Sequence, residues 1–161
     1  MPDIIVGLAL AWASYTDHKK RIIPNYCVLI VLACGIWQAY PNISAALLSA
    51  FTMFIIFSLF WFSGGLGGGD LKLMAALGCF AGVLGAMQIF LYGAIPCIVY
   101  TFAQKWRKGV LQETLKSTYL SLKWCAMGQL KTAVQFSSGD SAPLGGWMFI
   151  GYLVWQAIGF I

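Results

Sequence analysis

Residues Ile43 to Phe62 read ISAALLSAFTMFIIFSLFWF, a run of 20 residues without a charged side chain. A helix that crosses a lipid bilayer needs about 20 mainly apolar residues, so this run predicts a membrane-spanning helix. The whole chain agrees, because 60% of its 161 residues are hydrophobic and 9% are charged, whereas a typical soluble domain has roughly 25% charged residues. A soluble fold of this size could not enclose so much apolar surface, and we expect lipid to cover it.

Further apolar runs lie on both sides of this helix. Upstream they cover Ile4 to Thr16 and Tyr26 to Tyr40; downstream they cover Leu71 to Ala103 and Ala142 to Ile161. Glycines at positions 82 and 85 interrupt the longest run, which we interpret as a short helix followed by a longer one. The prediction is an all-α, polytopic membrane protein, a single domain over residues 1–161 built as a bundle of six transmembrane helices.

The positions of the basic residues predict the orientation of this bundle. When successive connections are assigned alternately to the two sides, all ten lysines and arginines fall on one side: residues 19–21, Lys72 and the polar segment 105–140. Basic loops remain in the cytoplasm, so we expect this side to be cytoplasmic, with both termini outside the inner membrane. An arrangement of five helices would scatter the basic residues over both faces.

The polar segment 105–140 has a periodicity of its own. Roughly one helical face carries Leu111, Leu115, Leu122, Ala126 and Leu130, and another carries Lys116, Lys123 and Lys131. This pattern predicts an amphipathic helix along the cytoplasmic membrane surface, between the fifth and sixth spanning helices. A solvated connector is the alternative. The formal net charge of +5 is explained by membrane topology, and no basic patch with stacking aromatics indicates a nucleic-acid partner.

Two of the five acidic residues lie where an apolar helix meets the predicted cytoplasmic boundary. Asp17 ends the first apolar run, and Asp70 follows three consecutive glycines, Gly67, Gly68 and Gly69. An ionisable group at membrane depth is energetically costly and indicates a functional role. Each has a structural alternative, since Asp70 could cap a helix beginning at Leu71 and Asp17 could pair with a neighbouring basic residue.

A pair of carboxylates supplies a complete chemistry for hydrolysing a peptide bond. Two close carboxylates that share one proton can take a proton from water and give one to the substrate carbonyl. The glycines before Asp70 allow positive φ angles and close approach of a substrate strand. No zinc-binding pattern or G-K-[ST] phosphate loop is present in the sequence, so we expect neither a metal nor another cofactor.

At these residues the sequence resembles the prepilin peptidases, a family of intramembrane aspartic proteases. The segment from Gly67 to Asp70 matches the family's G-x-G-D signature, and the continuation Leu71-Lys72-Leu73 is similar to the prepilin-peptidase version. Upstream, Asp17 with the following basic run and Ile23-Pro24-Asn25 resembles the first catalytic region. The resemblance extends over most of the chain.

This resemblance implies an endopeptidase that removes the leader of type IV pilin-like precursors at the cytoplasmic membrane face. It implies Asp17 and Asp70 as the catalytic pair, with Gly67, Gly68, Gly69, Lys72 and Asn25 as substrate-binding or supporting residues. The expected partners are a prepilin-like membrane substrate and the lipid bilayer, and a homo-oligomer is possible. Compared with the large bifunctional members, we expect a minimal form without a cysteine-rich region or a methyltransferase site.

Two other classes of protein remain open on the sequence. A small transporter could use paired aspartates to bind a cation or relay protons, and its flux would depend on both residues. A non-catalytic assembly subunit would tolerate replacement of both aspartates by asparagine.

Overall fold

A computed structural model of the chain describes residues 2–20, 22–62, 66–107 and 144–159, and these form an all-α structure. The helices are α1 (Pro2–Lys20), α2 (Asn25–Ala39), α3 (Ile43–Phe62), α4 (Gly68–Arg107) and α5 (Leu144–Gly159). Helix α3 has the predicted bounds. Residues 105–107 belong to α4, and the rest of the predicted amphipathic segment, with the basic residues it holds, lies outside the described residues.

Helix α1 extends further than the apolar pattern predicted, because it continues beyond Thr16 to Lys20. Its last turn contains His18, Lys19 and Lys20, and positive charge near a helix C-terminus is favourable to the helix dipole. As a result, Asp17 lies inside a helix and has a fixed direction, whereas the sequence placed it just after the helix end.

The run predicted as a short helix followed by a longer one does form two helical segments, both included in α4, which meet at a break at Gly82. That residue has φ 72° and ψ 175°, which is not helical. On a straight helix Cys97 would stand about 40 Å from Asp70, yet the two side chains interact electrostatically. The segments before and after Gly82 therefore fold back on one another as a helical hairpin.

Helix α3 packs against both segments of this hairpin. Met53 lies against Gly78 in the first segment, while the ring of Phe57 meets that of Phe90 in the second at a centroid distance of 4.8 Å. The described part of the chain therefore has five helices, of which the fourth contributes two antiparallel segments to the bundle.

The backbone of helix α5 lies very close to the backbone of the second segment of α4. A Cβ atom on Gly151 would collide with the carbonyl oxygen of Ile89, and one on Gly93 would stand 2.6 Å from the carbonyl oxygen of Trp147. Small residues at such crossings allow helices in membranes to pack closely. On its other side α5 packs against α1, where the Tyr152 hydroxyl donates a hydrogen bond to the Asp3 carbonyl oxygen at 2.9 Å.

These packing directions bring several helix ends together at one end of the bundle, which we call the aspartate end. It contains the C-terminal ends of α1 and α4 and the N-terminal ends of α2, α4 and α5. Gly82 lies at the turn of the hairpin, away from this end. The fold therefore assembles Asp17 and Asp70 at the same end of the bundle.

The outer surface of the bundle is strongly apolar. Helix α3 and the range Gly68–Gln104 are long and apolar enough to cross a membrane, and α2 is apolar but shorter. Large apolar side chains on several helices are exposed, among them Leu8, Trp37, Leu48, Leu59 and Leu84. Soluble monomers rarely expose contiguous apolar patches larger than a few hundred Å². The surface is that of a membrane protein.

Substitution of Gly82 by alanine tests the hairpin turn. A Cβ atom at Gly82 would meet no atom within 4 Å, so the cost arises from backbone strain at a conformation that is nearly restricted to glycine. We expect Gly82→Ala to lower the free energy of unfolding by about 1–3 kcal/mol, measured by thermal unfolding in detergent. The control is Gly159→Ala, at a helical position with equally open space. Equal stability of the two variants would contradict the strained turn.

Candidate active site

Asp17 lies on the apolar face of α1, which points into the interior of the bundle. It lies one and two helical turns after the buried residues Ala13 and Leu10, positions that share a helix face. With 7% of its surface exposed, it is the only charged side chain classed as buried among the described residues. A carboxylate in that position must be held by hydrogen-bond donors, since its charge would otherwise be left without compensation.

The first turn of α5 provides a donor for Asp17. The backbone N–H of Gly146 donates a hydrogen bond to Asp17 Oδ2 at 3.3 Å, and the hydroxyl of Ser14 donates to the Gly146 carbonyl oxygen at 3.2 Å. N–H groups in the first turn of a helix have no partner within the helix, and they carry the positive end of its dipole. The start of α5 is therefore suited to hold an anionic side chain.

Asp70 occupies the first turn of α4 and is bonded to the residue before the helix. Its Oδ2 accepts a hydrogen bond from the Gly67 N–H at 3.3 Å, while the Leu71 N–H donates to the Gly67 carbonyl oxygen at 3.2 Å. This arrangement resembles a capping box, in which an acidic side chain bonds back to the N-cap N–H. Asp70 therefore does take part in capping the helix, as the structural alternative held, although α4 starts at Gly68 and not at Leu71.

The two oxygens of Asp70 have different surroundings. Oδ2 secures the start of α4, whereas Oδ1 is buried and has no hydrogen-bond partner among the described residues. Leaving a buried acceptor without a partner costs about 1–3 kcal/mol, and more when it is charged. Such a group is rare in a stable core.

Asp17 and Asp70 lie within electrostatic reach of one another, although they come from different helices. Cys97, in the second segment of α4, is buried and lies within electrostatic range of both carboxylates. The sequence indicated the two aspartates but neither Cys97 nor Gly146. Gly146 contributes through its backbone across 129 positions of sequence, and no side-chain pattern could have signalled that contact.

The three glycines before Asp70 do not have the positive φ angles that the sequence suggested. Among the described residues, Gly82 is the glycine with a positive φ. Gly67 precedes α4, and Gly68 and Gly69 form its first turn. Gly64 and Gly65, the earlier part of the loop, lie outside the described residues.

Lys72 and Asn25 form a contact beside the aspartates. The Lys72 ammonium donates a hydrogen bond to Asn25 Oδ1 at 3.4 Å, and both residues are exposed. Lys72 lies two residues beyond Asp70, about 200° around the helix, so it projects from a different side of α4. The described ranges hold no group of three or more His, Cys, Asp or Glu side chains arranged for a metal ion.

Comparisons with known proteins match the part of the chain that holds both aspartates. A model of the type IV leader peptidase family matches residues 4–102, which include both aspartates. The chain is 33% identical over 95 residues to a prepilin leader peptidase/N-methyltransferase of Pseudomonas putida, covering 50% of this chain and 33% of that relative. The match thus spans a third of the relative's length. No solved structure matches.

The family match covers more than half of the chain, including α1 to α3 and most of α4. The matched range contains Asp17 with its basic run and, later in the chain, Asp70 with the preceding glycines. The structure places both aspartates at the same end of the bundle. The chain belongs to the type IV leader peptidase family.

Proposed function

We propose that this chain is a membrane-embedded aspartic endopeptidase that removes the leader peptide of type IV pilin-like precursors at the cytoplasmic membrane face. Asp17 and Asp70 are its catalytic pair. The observation that carries the proposal is that two carboxylates from separate helices lie within electrostatic reach of one another, and that one of them has a buried oxygen without a partner among the described residues. Family membership supplies the reaction class.

The proposed reaction needs only the two carboxyl groups and a water molecule. One carboxylate removes a proton from water as the water oxygen forms a bond to the scissile carbonyl carbon, while the protonated partner donates its proton to the carbonyl oxygen. The resulting tetrahedral diol collapses as one of its hydroxyl groups returns a proton to the pair; the carbon–nitrogen bond breaks, and the departing amine takes the other proton from the pair. The pair ends with one shared proton, as it began.

The proposed topology uses six membrane crossings, made by α1, α2, α3, the two segments of α4, and α5. Lys19, Lys20, Lys72 and Arg107 all belong to the aspartate end, which the distribution of basic residues assigns to the cytoplasm. Exposed aromatic residues lie near both ends, with Tyr15 and Trp106 at the aspartate end and Trp37 and Tyr40 at the α2–α3 turn. Trp and Tyr favour membrane–water interfaces.

Replacement of either aspartate by asparagine tests the catalytic pair directly. Because asparagine keeps the shape but cannot take or give the proton, Asp17→Asn and Asp70→Asn should each abolish cleavage of a co-expressed prepilin. The readout is the mobility shift of the processed protein on a gel. Equal membrane levels of all three proteins are required, and Gly159→Ala serves as a variant outside the site.

The same experiment separates the open alternatives. Cleavage that persists in either asparagine variant would contradict the pair mechanism. An intact prepilin in the presence of the unaltered chain, together with aspartate-dependent ion flux in liposomes, would favour a transporter. Intact prepilin without flux, and unchanged pilus assembly in both variants, would favour an assembly subunit.

The hydrogen bond from Gly146 to Asp17 can be removed without deleting a catalytic side chain. Gly146→Pro lacks the N–H donor, and proline is tolerated in the first helical turn, where that N–H has no partner within the helix. A hydrogen bond to a charged group contributes about 1.5–3 kcal/mol, so we expect the cleavage rate to fall about tenfold or more.

The matched control for this variant is Gly146→Ala, which keeps the N–H. Its Cβ atom would lie 3.4 Å from the Ser14 hydroxyl oxygen, an ordinary contact distance. Rates for the alanine variant should remain close to those of the unaltered chain. If alanine and proline reduce the rate equally, the loss comes from crowding and the proposed role of the donor is wrong.

A further inference from the structure

The separation of the two aspartates depends on how several helices begin at the aspartate end. Asp17 is carried by α1, which packs mainly against α2 and α5, whereas Asp70 is carried by α4, which packs mainly against α2, α3 and α5. Two routes therefore determine the position of Asp17 relative to Asp70: the start of α5, and the α1–α2 connection, residues 22–24. The first of these routes contains the hydrogen bond from the Gly146 N–H to Asp17.

The second route consists of two adjacent contacts between the start of α2 and the start of α4. Ile23, buried in the α1–α2 connection, packs against Gly69, where an added Cβ would stand 3.0 Å from the Ile23 Cβ atom. One turn further along α4, Lys72 donates its hydrogen bond to Asn25 at 3.4 Å. Positions i and i+3 share a face of a helix, so Gly69 and Lys72 form one contact surface.

Asp70 projects from a different side of the same turn. Contacts at Gly69 and Lys72 restrict rotation of the first turn of α4 about its axis, and such a rotation would swing the Asp70 carboxylate relative to Asp17. Restricting this rotation therefore fixes the direction of the catalytic side chain. Neither Lys72 nor Asn25 needs to touch the reacting atoms for this effect.

The Lys72–Asn25 bond has little value for overall stability. Both side chains are exposed, and exposed polar contacts of a charged group contribute little to the free energy of unfolding. The catalytic rate is far more sensitive to geometry, because a misplacement of about 1 Å can reduce it 10²-fold. Loss of this hydrogen bond can therefore lower the cleavage rate while hardly changing the free energy of unfolding.

We propose that Lys72 and Asn25 are positioning residues: with the Ile23–Gly69 contact they form a clamp that sets the separation of Asp17 and Asp70. The clamp joins the α1–α2 connection, which follows the helix of one aspartate, to the first turn of the helix that carries the other. Its consequence for cleavage rests on the proposed function, whereas its effect on the separation of positions 17 and 70 does not.

A crosslinking experiment tests the clamp without any activity. Cysteines are placed at both catalytic positions (Asp17→Cys with Asp70→Cys), and the rate of joining by a short bifunctional thiol reagent is followed by mass spectrometry of the linked peptides. The unaltered chain, treated identically, is the control for its five native cysteines. Adding Asn25→Leu or Lys72→Met should slow the joining several-fold.

Lys19→Met is the matched control for the loss of charge. It also removes one exposed lysine at the aspartate end, and Lys19 contacts the ring of Tyr15 on its own helix. This change should leave the crosslinking rate as it was. An unaltered rate in both clamp variants, or an equal fall in the Lys19 variant, would overturn the clamp.

Cleavage kinetics give the second readout, in the chain with both aspartates present. We expect Asn25→Leu and Lys72→Met each to lower kcat about tenfold, within the range that misplacement produces, with KM nearly unchanged. The double variant should be no slower than the single variants, because both remove the same contact. Unfolding temperatures should match that of the unaltered chain.

The two readouts keep the proposals apart. Absence of cleavage by the unaltered chain would overturn the proposed function, while the crosslinking rates would still decide the clamp. A raised KM with unaltered crosslinking would show that Lys72 contacts the substrate, and the positioning role would be wrong. Multiplicative losses in the double variant would also contradict a shared contact.

Discussion

The buried carboxylate of Asp17 imposes the constraint on which the rest of the structure depends. A charge removed from water has to be compensated by donors, and here the start of α5 provides one through the Gly146 N–H. This requirement ties the end of α1 to the start of α5, although the two are far apart in sequence. Because α5 in turn packs tightly on the second segment of α4, the position of Asp17 becomes part of the packing of the whole bundle.

The hairpin at Gly82 brings the other components of the site to the same end. The first segment of α4 carries Asp70 in its first turn, and the second returns so that Cys97 lies within electrostatic reach of both aspartates. Each aspartate accepts a hydrogen bond from a glycine N–H at the beginning of a helix. The bundle thus uses backbone donors, which do not titrate, to hold the two carboxyl groups of the proposed catalytic pair.

The sequence predicted the helical class, the bounds of α3 and the two aspartates that the fold brings together. Apolar runs and isolated acidic residues are local features of the sequence, so they can be recognised without knowing the tertiary contacts. The extension of α1 beyond Thr16 was missed because hydropathy does not register helix C-terminal electrostatics. The hydrogen bond from Gly146 to Asp17, and the burial of Asp70 Oδ1 without a partner in the part of the chain that the structure describes, could not be predicted, because both depend on which helix ends meet in space. Six membrane crossings and their orientation remain predictions.

The central claim is that Asp17 and Asp70 work as one unit sharing a single proton. The most direct measurement is the pH dependence of kcat/KM for prepilin cleavage by the unaltered chain in detergent micelles, across the range where carboxyl groups titrate. The account predicts a bell-shaped profile, because the rate is highest when the pair holds one proton and falls when it holds two or none. A profile that follows the titration of a single group, or that is flat over this range, would contradict it.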